Sequence, residues 1–324
     1  MNKSGLAPIK FAPYYKTVLW GGNRIASYKR QNLKLKDIGE SWEISGLEGR
    51  ESVVESGEYK GLNLRQLIDM FKSDLVGKHI YEKYGNDFPL LVKIIDAHAT
   101  LSLQVHPGDK LAKARHNCLG KTEMWYVIDA ESDAKIYSGL KHDISVDDYE
   151  RMIADDSIMD VVACHDSHPG DLFFLPAGCI HAIGAGNLLV EIHESSDITY
   201  RLSDFGRLDS NGNPRELHTE LAKDAINYKA GNSDATDYDR EKRGETELLS
   251  CKYFKTGRVI CDGNITLDCN EDSFMIVMCV DGSASLNCSN GTTAKISRGS
   301  TLLIPAVVDS LEIVGNATLL TVTA

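Results

Sequence analysis

The sequence lacks the features that would place a chain in a membrane or outside the cell. No apolar stretch approaches the roughly 18 uninterrupted residues that a membrane-spanning helix needs. No apolar run of signal-peptide length follows residues 1–5. The eight cysteines are scattered and include no C-x-x-C pair, which favours reduced, buried thiols. These absences predict a soluble cytoplasmic protein.

Basic residues are also in short supply. Lys and Arg number 35 against 47 Asp and Glu, which gives a formal net charge of −12 at pH 7. Binding to nucleic acid or to an anionic membrane depends on neutralising phosphates with Lys and Arg. The composition therefore predicts neither partner. The composition still permits a small anionic substrate, because at short range a few local cations can outweigh the electrostatic field of the net negative charge.

Length and composition indicate a globular protein with two domains. Apolar residues make up 42% and charged residues 25%, as in ordinary soluble proteins. At roughly 150 residues per domain, 324 residues predict two domains. The stretch 227–247 is polar and lacks apolar periodicity, as a linker or long exposed loop does. We therefore expect one domain over residues 1–240 and a smaller one over 241–324.

Most of the chain shows strand patterns, and only three segments show helix patterns. Asn63 precedes a helical apolar spacing over 64–71, Ser145 and Asp148 resemble a capping box, and Thr219 begins a third candidate helix. The remainder is short apolar runs punctuated by turn residues, which predicts a mainly β fold of antiparallel sandwiches or barrels with helical insertions. The clearest runs before residue 250 are 90–95, 101–106, 124–128, 171–175 and 188–193.

One pattern occurs in both halves. Residues 169–176 and 297–305 each contain a turn glycine, a mostly apolar run of five residues and a proline. The first copy continues to His181, whereas the second has no histidine. The repetition predicts two related β domains, of which only the first keeps a ligand.

Polar residues alternate with apolar ones over 101–106. Ser102, Gln104 and His106 are expected on one strand face, and Leu101, Leu103 and Val105 on the other. An ordinary half-exposed strand is the alternative interpretation.

A charged pair begins the next apolar run. Lys121 and Glu123 stand at the start of a strand-like segment that is otherwise aromatic and aliphatic. A carboxylate is costly to bury unless it is paired or bound to metal. A surface ion pair between these two residues explains the pattern equally well.

The spacing Gly170-x5-Pro176-x-Gly178-x2-His181 matches the second motif of the cupin superfamily, a small β-barrel that binds metal in its mouth. Taken together, the candidate donors are an amide oxygen, two imidazoles and a carboxylate. Such a set suits Zn²⁺ with a position left open for water or substrate. The four residues are Gln104, His106, Glu123 and His181.

Several segments, in the same order along the chain, resemble type I mannose-6-phosphate isomerases. They are L-S-L-Q-V-H-P at 101–107, G-K-T-E-M-W-Y at 120–126, P-G-D-L-F-F-L-P-A-G-C-I-H-A at 169–182, Tyr200-Arg201, W-G-G at 20–22 and G-E-S-W-E-I-S at 39–45. The resemblance implies two cupin-like jelly-roll or β-barrel domains, with helical insertions in the first and no metal ligands in the second. It also implies that the metal ligands are the same four residues, with one Zn²⁺ per chain.

The resemblance further implies reversible conversion of mannose 6-phosphate to fructose 6-phosphate through an enediol. Arg201 matches the active-site arginine of the family and suits a phosphate or an enediolate oxygen. Lys121 is a second cation for an anionic substrate, and Ser102 could hydrogen-bond a phosphate oxygen. Glu191 is our first choice for proton transfer. Three other candidates for that role stay open, namely Glu194, His193 and Lys121.

Two alternatives differ in function class. Another metal-dependent cupin enzyme, such as an Fe(II) oxygenase, usually presents three ligands, and a fourth ligand at Gln104 argues against it. A non-catalytic sugar-binding cupin would have no reason to keep both Arg201 and Lys121. Arg201 itself could instead pair with Asp197 or Asp204 at the surface. The sequence leaves the oligomeric state open.

Overall fold

A computed structural model describes residues 5–209, 211–231, 234–269 and 272–324. The fold is mainly β, as predicted, with 42% of the described residues in strands and 16% in helices. The strands are β1 (Ile9–Ala12), β2 (Tyr14–Gly22), β3 (Ile38–Ser45), β4 (Val53–Val54), β5 (Leu90–Ala97), β6 (Leu103–Val105), β7 (Glu123–Ala130), β8 (Lys135–Leu140), β9 (Val162–Asp166), β10 (Leu172–Leu175), β11 (His181–Ile183), β12 (Asn187–Glu194), β13 (Tyr200–Ser203), β14 (Gly244–Ser250), β15 (Lys255–Asp268), β16 (Met275–Cys288), β17 (Thr293–Ser297), β18 (Thr301–Ile304) and β19 (Ser310–Thr323). The α-helices are α1 (Arg24–Tyr28), α2 (Leu64–Phe71), α3 (Ser73–Val76), α4 (Lys78–Tyr84), α5 (Asp109–His116), α6 (Val146–Ala154) and α7 (Thr219–Lys223), and a 3₁₀ helix spans Ile158–Val161.

The strands form three antiparallel sheets. One has the order β10-β7-β12-β5-β3-β2, a second has β13-β6-β11-β8-β9, and the third has β14-β15-β19-β16-β18-β1-β4 with β17 beside β16. Each sheet runs from one free edge to another over the described residues, so none closes into a barrel. The architecture is therefore one of open, packed sheets.

The first two sheets pack face to face. Trp125 and Leu189 of the six-stranded sheet share an apolar core with Ile136 and Ile183 of the five-stranded sheet. Side chains that point from both sheets into this space can meet between them. The space between these two sheets therefore positions the candidate site.

The third sheet takes strands from both ends of the chain. β1 pairs with β18, with Ile9 opposite Leu303, although almost the whole chain separates them. The core beneath continues across the same boundary, and a buried ion pair between Lys29 and Glu43 lies beside Thr301. Division of the chain near residue 240 thus stays a prediction, because N-terminal strands complete the C-terminal sheet.

The local predictions can be compared with the observed elements. Asn63 and Ser145 each cap a helix through a reciprocal capping box. The helix that begins at Thr219 ends at Lys223, and in the turn that follows Ala225 and Ile226 both donate to the carbonyl of Ala222. The repeated motif forms two strands of equal length, β10 and β18.

The predicted linker is tied to the rest of the fold. The Tyr238 hydroxyl donates to the Gly170 carbonyl at 2.6 Å, and Arg240 pairs with Asp171 at 2.6 Å. These contacts hold part of 227–247 against the turn that precedes β10, and most described residues of the stretch are exposed. The assignment of the stretch as a linker stays a prediction. Residues 232 and 233 of this stretch lie outside the described residues.

Among the described residues, no helix is both long enough and apolar enough to cross a membrane. All eight cysteines are unpaired, and four of them are buried. Cys164 is exposed, contrary to the expectation of burial, because it lies on the edge strand β9.

Candidate functional site

Three potential metal ligands converge between the two facing sheets. Glu123 is the first residue of β7, His181 is the first residue of β11, and His106 directly follows β6. Their ligand atoms all lie within 4.8 Å of one another, and all three residues are buried. Strand ends from two sheets thus bring together residues that are far apart in the sequence.

The two imidazoles present their Nε2 atoms to the carboxylate. Nε2 of His181 is 3.2 Å from Oε1 of Glu123, and Nε2 of His106 is 3.5 Å from Oε2. Each Nδ1 lies within hydrogen-bond distance of a backbone carbonyl, that of Ile198 or Cys179, at 2.8 and 2.9 Å. Since those carbonyls can only accept, the Nδ1 atoms donate and the Nε2 lone pairs face Glu123.

Two buried atoms of the cluster have no hydrogen-bond donor. Nε2 of His181 and Oε1 of Glu123 are buried without a hydrogen-bond partner among the described residues, whereas Oε2 of Glu123 is paired with the ammonium of Lys121. Burial raises the pKa of Glu123 to about 7, and burial together with Lys121 lowers the pKa of His181 to about 4. Neutral imidazoles and a buried carboxylate are the donors that a divalent cation requires, so the residues fit a metal ion.

Gln104 lies beside this cluster. It is the Cα partner of His181 in the β6–β11 pairing and is nearly buried. The expected alternation holds for Gln104, whose neighbours Leu103 and Val105 point into another core. Leu101 departs from it and lines the same pocket as Ser102, because β6 begins only at Leu103 and the two preceding residues are not in a strand.

Lys121 and Glu123 do form an ion pair, but it is not at the surface. The Nζ atom of Lys121 is 2.9 Å from Oε2 of Glu123, and both side chains are buried. The same Nζ lies 3.3 Å from Nε2 of His106. The lysine is therefore part of the cluster, and the interpretation as a surface ion pair is wrong.

A polar pocket of about 180 Å³ opens beside the cluster. Gln104 and all the predicted catalytic and substrate-binding residues line this pocket. The other three predicted metal ligands, His106, Glu123 and His181, do not line it. The predicted residues that line it are Ser102, Gln104, Lys121, Glu191 and Arg201.

Of the four candidates for proton transfer, two line the pocket. Glu191 and Lys121 face it and lie 3.8 Å apart. His193 is fully buried with Nε2 3.3 Å from Glu191 Oε1, as expected for neighbours on one strand face. Glu194 does not line the pocket; its Oε1 accepts from the backbone N–H of Thr122 at 2.9 Å.

Arg201 has the features of a residue available to a ligand. Its Nη1 donates to the Glu216 carbonyl at 2.7 Å, and its Nε is buried without a partner. Among the described residues no carboxylate lies within ion-pair distance of Arg201. Asp204 forms ion pairs with Arg207 and Arg215 instead. The alternative of a surface pair with Asp197 or Asp204 is therefore not what the structure contains.

Comparison with known proteins identifies the family. Residues 9–154 match the family model for the catalytic domain of type I phosphomannose isomerase, and residues 244–324 match that for the mannose-6-phosphate isomerase cupin domain. The mannose-6-phosphate isomerase ManA of Bacillus subtilis is 32% identical over 315 residues, 96% of each chain. The chain belongs to the type I phosphomannose isomerase family.

Other members of the family agree in extent and fold. The mannose-6-phosphate isomerase of Streptococcus mutans is 32% identical over 92% of each chain. The crystal structure of the mannose 6-phosphate isomerase from Bacillus subtilis superposes with a TM-score of 0.88 at 30% identity, covering 98% of this chain and 99% of that one. Type I phosphomannose isomerases are metal-dependent, and His106, Glu123 and His181 form the candidate metal site of this member.

This phosphomannose isomerase also has pocket residues that sequence reasoning missed. Alternating charges run across neighbouring strands: Lys16 is 3.2 Å from Glu40, Lys93 is 3.5 Å from Glu40, and Lys93 is 3.0 Å from Glu191. Burial alone would lower the pKa of Lys93, but Glu191 and Glu40 outweigh burial and raise it. A single lysine inside the apolar run 90–95 was the available signal.

Of the two tryptophans of the N-terminal motifs, Trp42 contacts this row of charges. Trp42 is fully buried and donates through Nε1 to Glu40 Oε2 at 2.7 Å, and the centre of its ring lies 5.2 Å from Nζ of Lys93. Trp20 is buried and lines the pocket wall.

Proposed function

We propose that this chain interconverts mannose 6-phosphate and fructose 6-phosphate. The observation that carries the proposal is the buried cluster of His106, Glu123 and His181 beside a pocket lined by Lys121 and Arg201. Aldose–ketose isomerisation needs a site that tolerates developing negative charge and moves a proton between two neighbouring carbons. Family membership supports the same reaction.

We further propose that the metal is Zn²⁺, held by Gln104, His106, Glu123 and His181. Nitrogen and oxygen donors in this number suit zinc with an open position. Bound there, Zn²⁺ supplies Lewis-acid polarisation of a substrate oxygen. The hydrogen bonds from both Nδ1 atoms to backbone carbonyls fix the rings in the orientation that a ligand needs.

Cations of the pocket bind the anionic substrate in this proposal. Arg201 has an unpartnered Nε and a planar fork of donors that fits a phosphate or an enediolate oxygen. Burial and the neighbouring Arg215 lower the pKa of Arg201, since a second positive charge there is unfavourable without an anion. Ser102 offers a hydroxyl on the same wall.

Glu191 moves the proton, with Lys121 as its partner. Burial would raise the pKa of Glu191, but Lys121 and Lys93 outweigh burial and hold the pKa well below its usual range. The carboxylate is therefore ionised at neutral pH, which is the form that accepts a proton. Trp125 donates to Oε2 of Glu191 at 3.2 Å and fixes its orientation. Glu191 returns the proton to the neighbouring carbon, and the Lys121 ammonium, 3.8 Å from Glu191, gives a proton to one substrate oxygen and regains one from the hydroxyl of the other.

Three broader assignments belong to the same proposal. The residues of 241–324 form a cupin-like β unit without metal ligands, and residues 1–240 form the metal-binding unit. The enzyme acts on a small phosphosugar in the cytoplasm and needs neither nucleic acid nor a membrane. The acidic net charge of −12 agrees with the absence of both partners.

The experiment is turnover of mannose 6-phosphate by the purified chain, before and after chelation and after zinc is added back. We expect activity that disappears with chelator and returns with zinc. Mannose and glucose 6-phosphate serve as controls for the phosphate and for the configuration at C2. Folded, zinc-loaded protein that turns over none of these would contradict the proposal and favour a sugar-binding role.

A further inference from the structure

The segment that carries the site residue Lys121 has no strand partner of its own. Residues 120–122 precede β7 and are not in a regular element, yet Lys121 lies within them and Glu123 follows directly. Side chains at a site must be held to within a fraction of an ångström to act together. Something other than a sheet therefore has to fix this segment.

Each of its three successive backbone N–H groups has an acceptor. Gly120 donates to Oδ1 of Asp109 at 3.2 Å, Lys121 to the Pro107 carbonyl at 3.2 Å, and Thr122 to Oε1 of Glu194 at 2.9 Å. Two of the three acceptors are thus side-chain carboxyl groups. A Cβ on Gly120 would lie 2.6 Å from the backbone nitrogen of Asp109, so only glycine permits this close approach.

The two carboxyl groups also contact each other. Burial raises the pKa of Glu194 to about 8, and a hydrogen bond with Asp109 favours the protonated form. Hydrogen bonds, including that from Glu194, lower the pKa of Asp109 to about 2 against the effect of burial. At neutral pH Glu194 is therefore protonated, and its hydroxyl donates a hydrogen bond to the ionised Asp109 carboxylate.

The other oxygen of Asp109 is held by the C-terminal part of the chain. The Tyr253 hydroxyl donates to Oδ2 at 2.9 Å and Lys252 Nζ donates to it at 3.0 Å. Both residues lie in the turn between β14 and β15, and the Lys252 ammonium stacks over the Tyr253 ring at 4.7 Å. A single carboxylate thus joins a turn of the third sheet to the segment that enters the site.

We propose that Tyr253 and Lys252 are positioning residues for the isomerase site, acting through Asp109 on residues 120–122. They touch neither the pocket nor the metal ligands, so their effect on Lys121 and Glu123 passes through the backbone. The C-terminal β unit, which brings no metal ligand, would in this way contribute to catalysis. The test by kcat rests on the proposed function, because it needs isomerase activity. The test by zinc affinity does not depend on that activity.

The primary test uses Tyr253→Phe and Asp109→Ala, alone and combined, in the full-length chain. The free energy of one hydrogen bond to a carboxylate corresponds to a roughly tenfold change in a rate or binding constant. We therefore expect kcat and zinc affinity each to fall about tenfold in Tyr253→Phe. In the Asp109→Ala background Tyr253→Phe should have almost no further effect, because the carboxylate that the Tyr253 hydroxyl contacts is already absent. Zinc affinity is measured by competition with a chromophoric chelator.

Tyr238→Phe is the matched control. Its hydroxyl also makes one hydrogen bond between the C-terminal half of the chain and the catalytic sheet, to the Gly170 carbonyl. We expect it to lower the melting temperature about as much as Tyr253→Phe, with kcat and zinc affinity within twofold of wild type. Lys252→Met repeats the test from the second donor, with a smaller effect because the ion pair is exposed.

The outcomes separate the two proposals. Unchanged zinc affinity and kcat in Tyr253→Phe, or fully additive effects with Asp109→Ala, would overturn the positioning role. A wild-type protein that binds zinc but has no isomerase activity would overturn the proposed function, while the zinc affinities would still decide the positioning role. If the doubly substituted protein does not fold, the cycle of Lys252→Met with Asp109→Asn takes its place.

Discussion

The ammonium of Lys121 lies 2.9 Å from the Glu123 carboxylate, and both side chains are buried. The same ammonium is 3.8 Å from Glu191, so a single cation faces two carboxylates in a space with little water. Charges interact strongly in such surroundings, and an unpaired buried carboxylate is costly. Lys121 therefore sets the charge of the site whether or not a metal ion is bound.

Lys121→Met should lower kcat by about 100-fold or more, within the range of about 10²–10⁴ for a proton-transferring group. Lys121 lowers the pKa of Glu191 more than Lys93 does. Without the Lys121 ammonium, the pKa of Glu191 should therefore rise. Steady-state kinetics against pH measures both effects. Lys135→Met removes an exposed ion pair with Asp166 and should change kcat by less than twofold. Equal activities in the two variants would contradict the role of Lys121.

How far the sequence alone predicts this site depends on the range of the interactions involved. Alternation over 101–106 was enough to place Gln104 on a ligand face, because strand geometry is local. Lys93 and Glu40 were missed because their contact depends on how β3 pairs with β5, where Trp42 is opposite Lys93. Register between distant strands follows from packing and cannot be inferred from either strand by itself.

The same limit applies to the fold. The repeated glycine–strand–proline motif correctly predicted a strand in each half, since turn and strand signals are local. Nothing in the residues of β1 indicates that Ile9 pairs with Leu303 in the third sheet. The turn carrying Tyr253 reaches Asp109 through that same long-range packing, which is why no motif signalled the contact.

His181→Ala should lose bound metal and activity together. Loss of a group that merely orients a ligand costs roughly 10–100-fold in metal affinity, and loss of the ligand itself should cost more. Metal content after dialysis and turnover with added zinc measure the two effects. The exposed His168 provides the control, and His168→Ala should keep metal and activity. Metal-free His181→Ala protein with normal turnover would contradict the assignment.

Arg201→Ala should keep metal and lose turnover. Its guanidinium lies on the pocket wall outside the buried cluster, so zinc content should equal that of wild type. A donor aimed at developing negative charge is worth about 10²–10³ in kcat. Arg201→Lys should recover little of this, because an ammonium lacks the planar fork of donors. A fall in metal content equal to that in His181→Ala would show that Arg201 maintains the metal site instead.

Glu194 predicts a pH dependence of stability with a definite sign. Burial raises its pKa to about 8 in the folded chain, above the ordinary glutamate value of 4.5. Between these two values the folded state holds a proton that the unfolded state has released. The free energy of unfolding should therefore fall as pH rises through this window, by up to about 1.4 kcal/mol per pH unit from this group.

Glu194→Gln isolates this contribution. The amide can donate to Asp109 and accept from Thr122 as the protonated acid does, but it cannot lose a proton. Urea unfolding at several pH values from 5 to 9 should give a shallower decline for Glu194→Gln than for wild type. Glu48→Gln at an exposed position should leave the wild-type slope unchanged. Asp109 and Tyr253 are the titratable groups that face Glu194. Identical slopes in wild type and Glu194→Gln would mean that the Glu194 carboxyl is ionised in the folded protein.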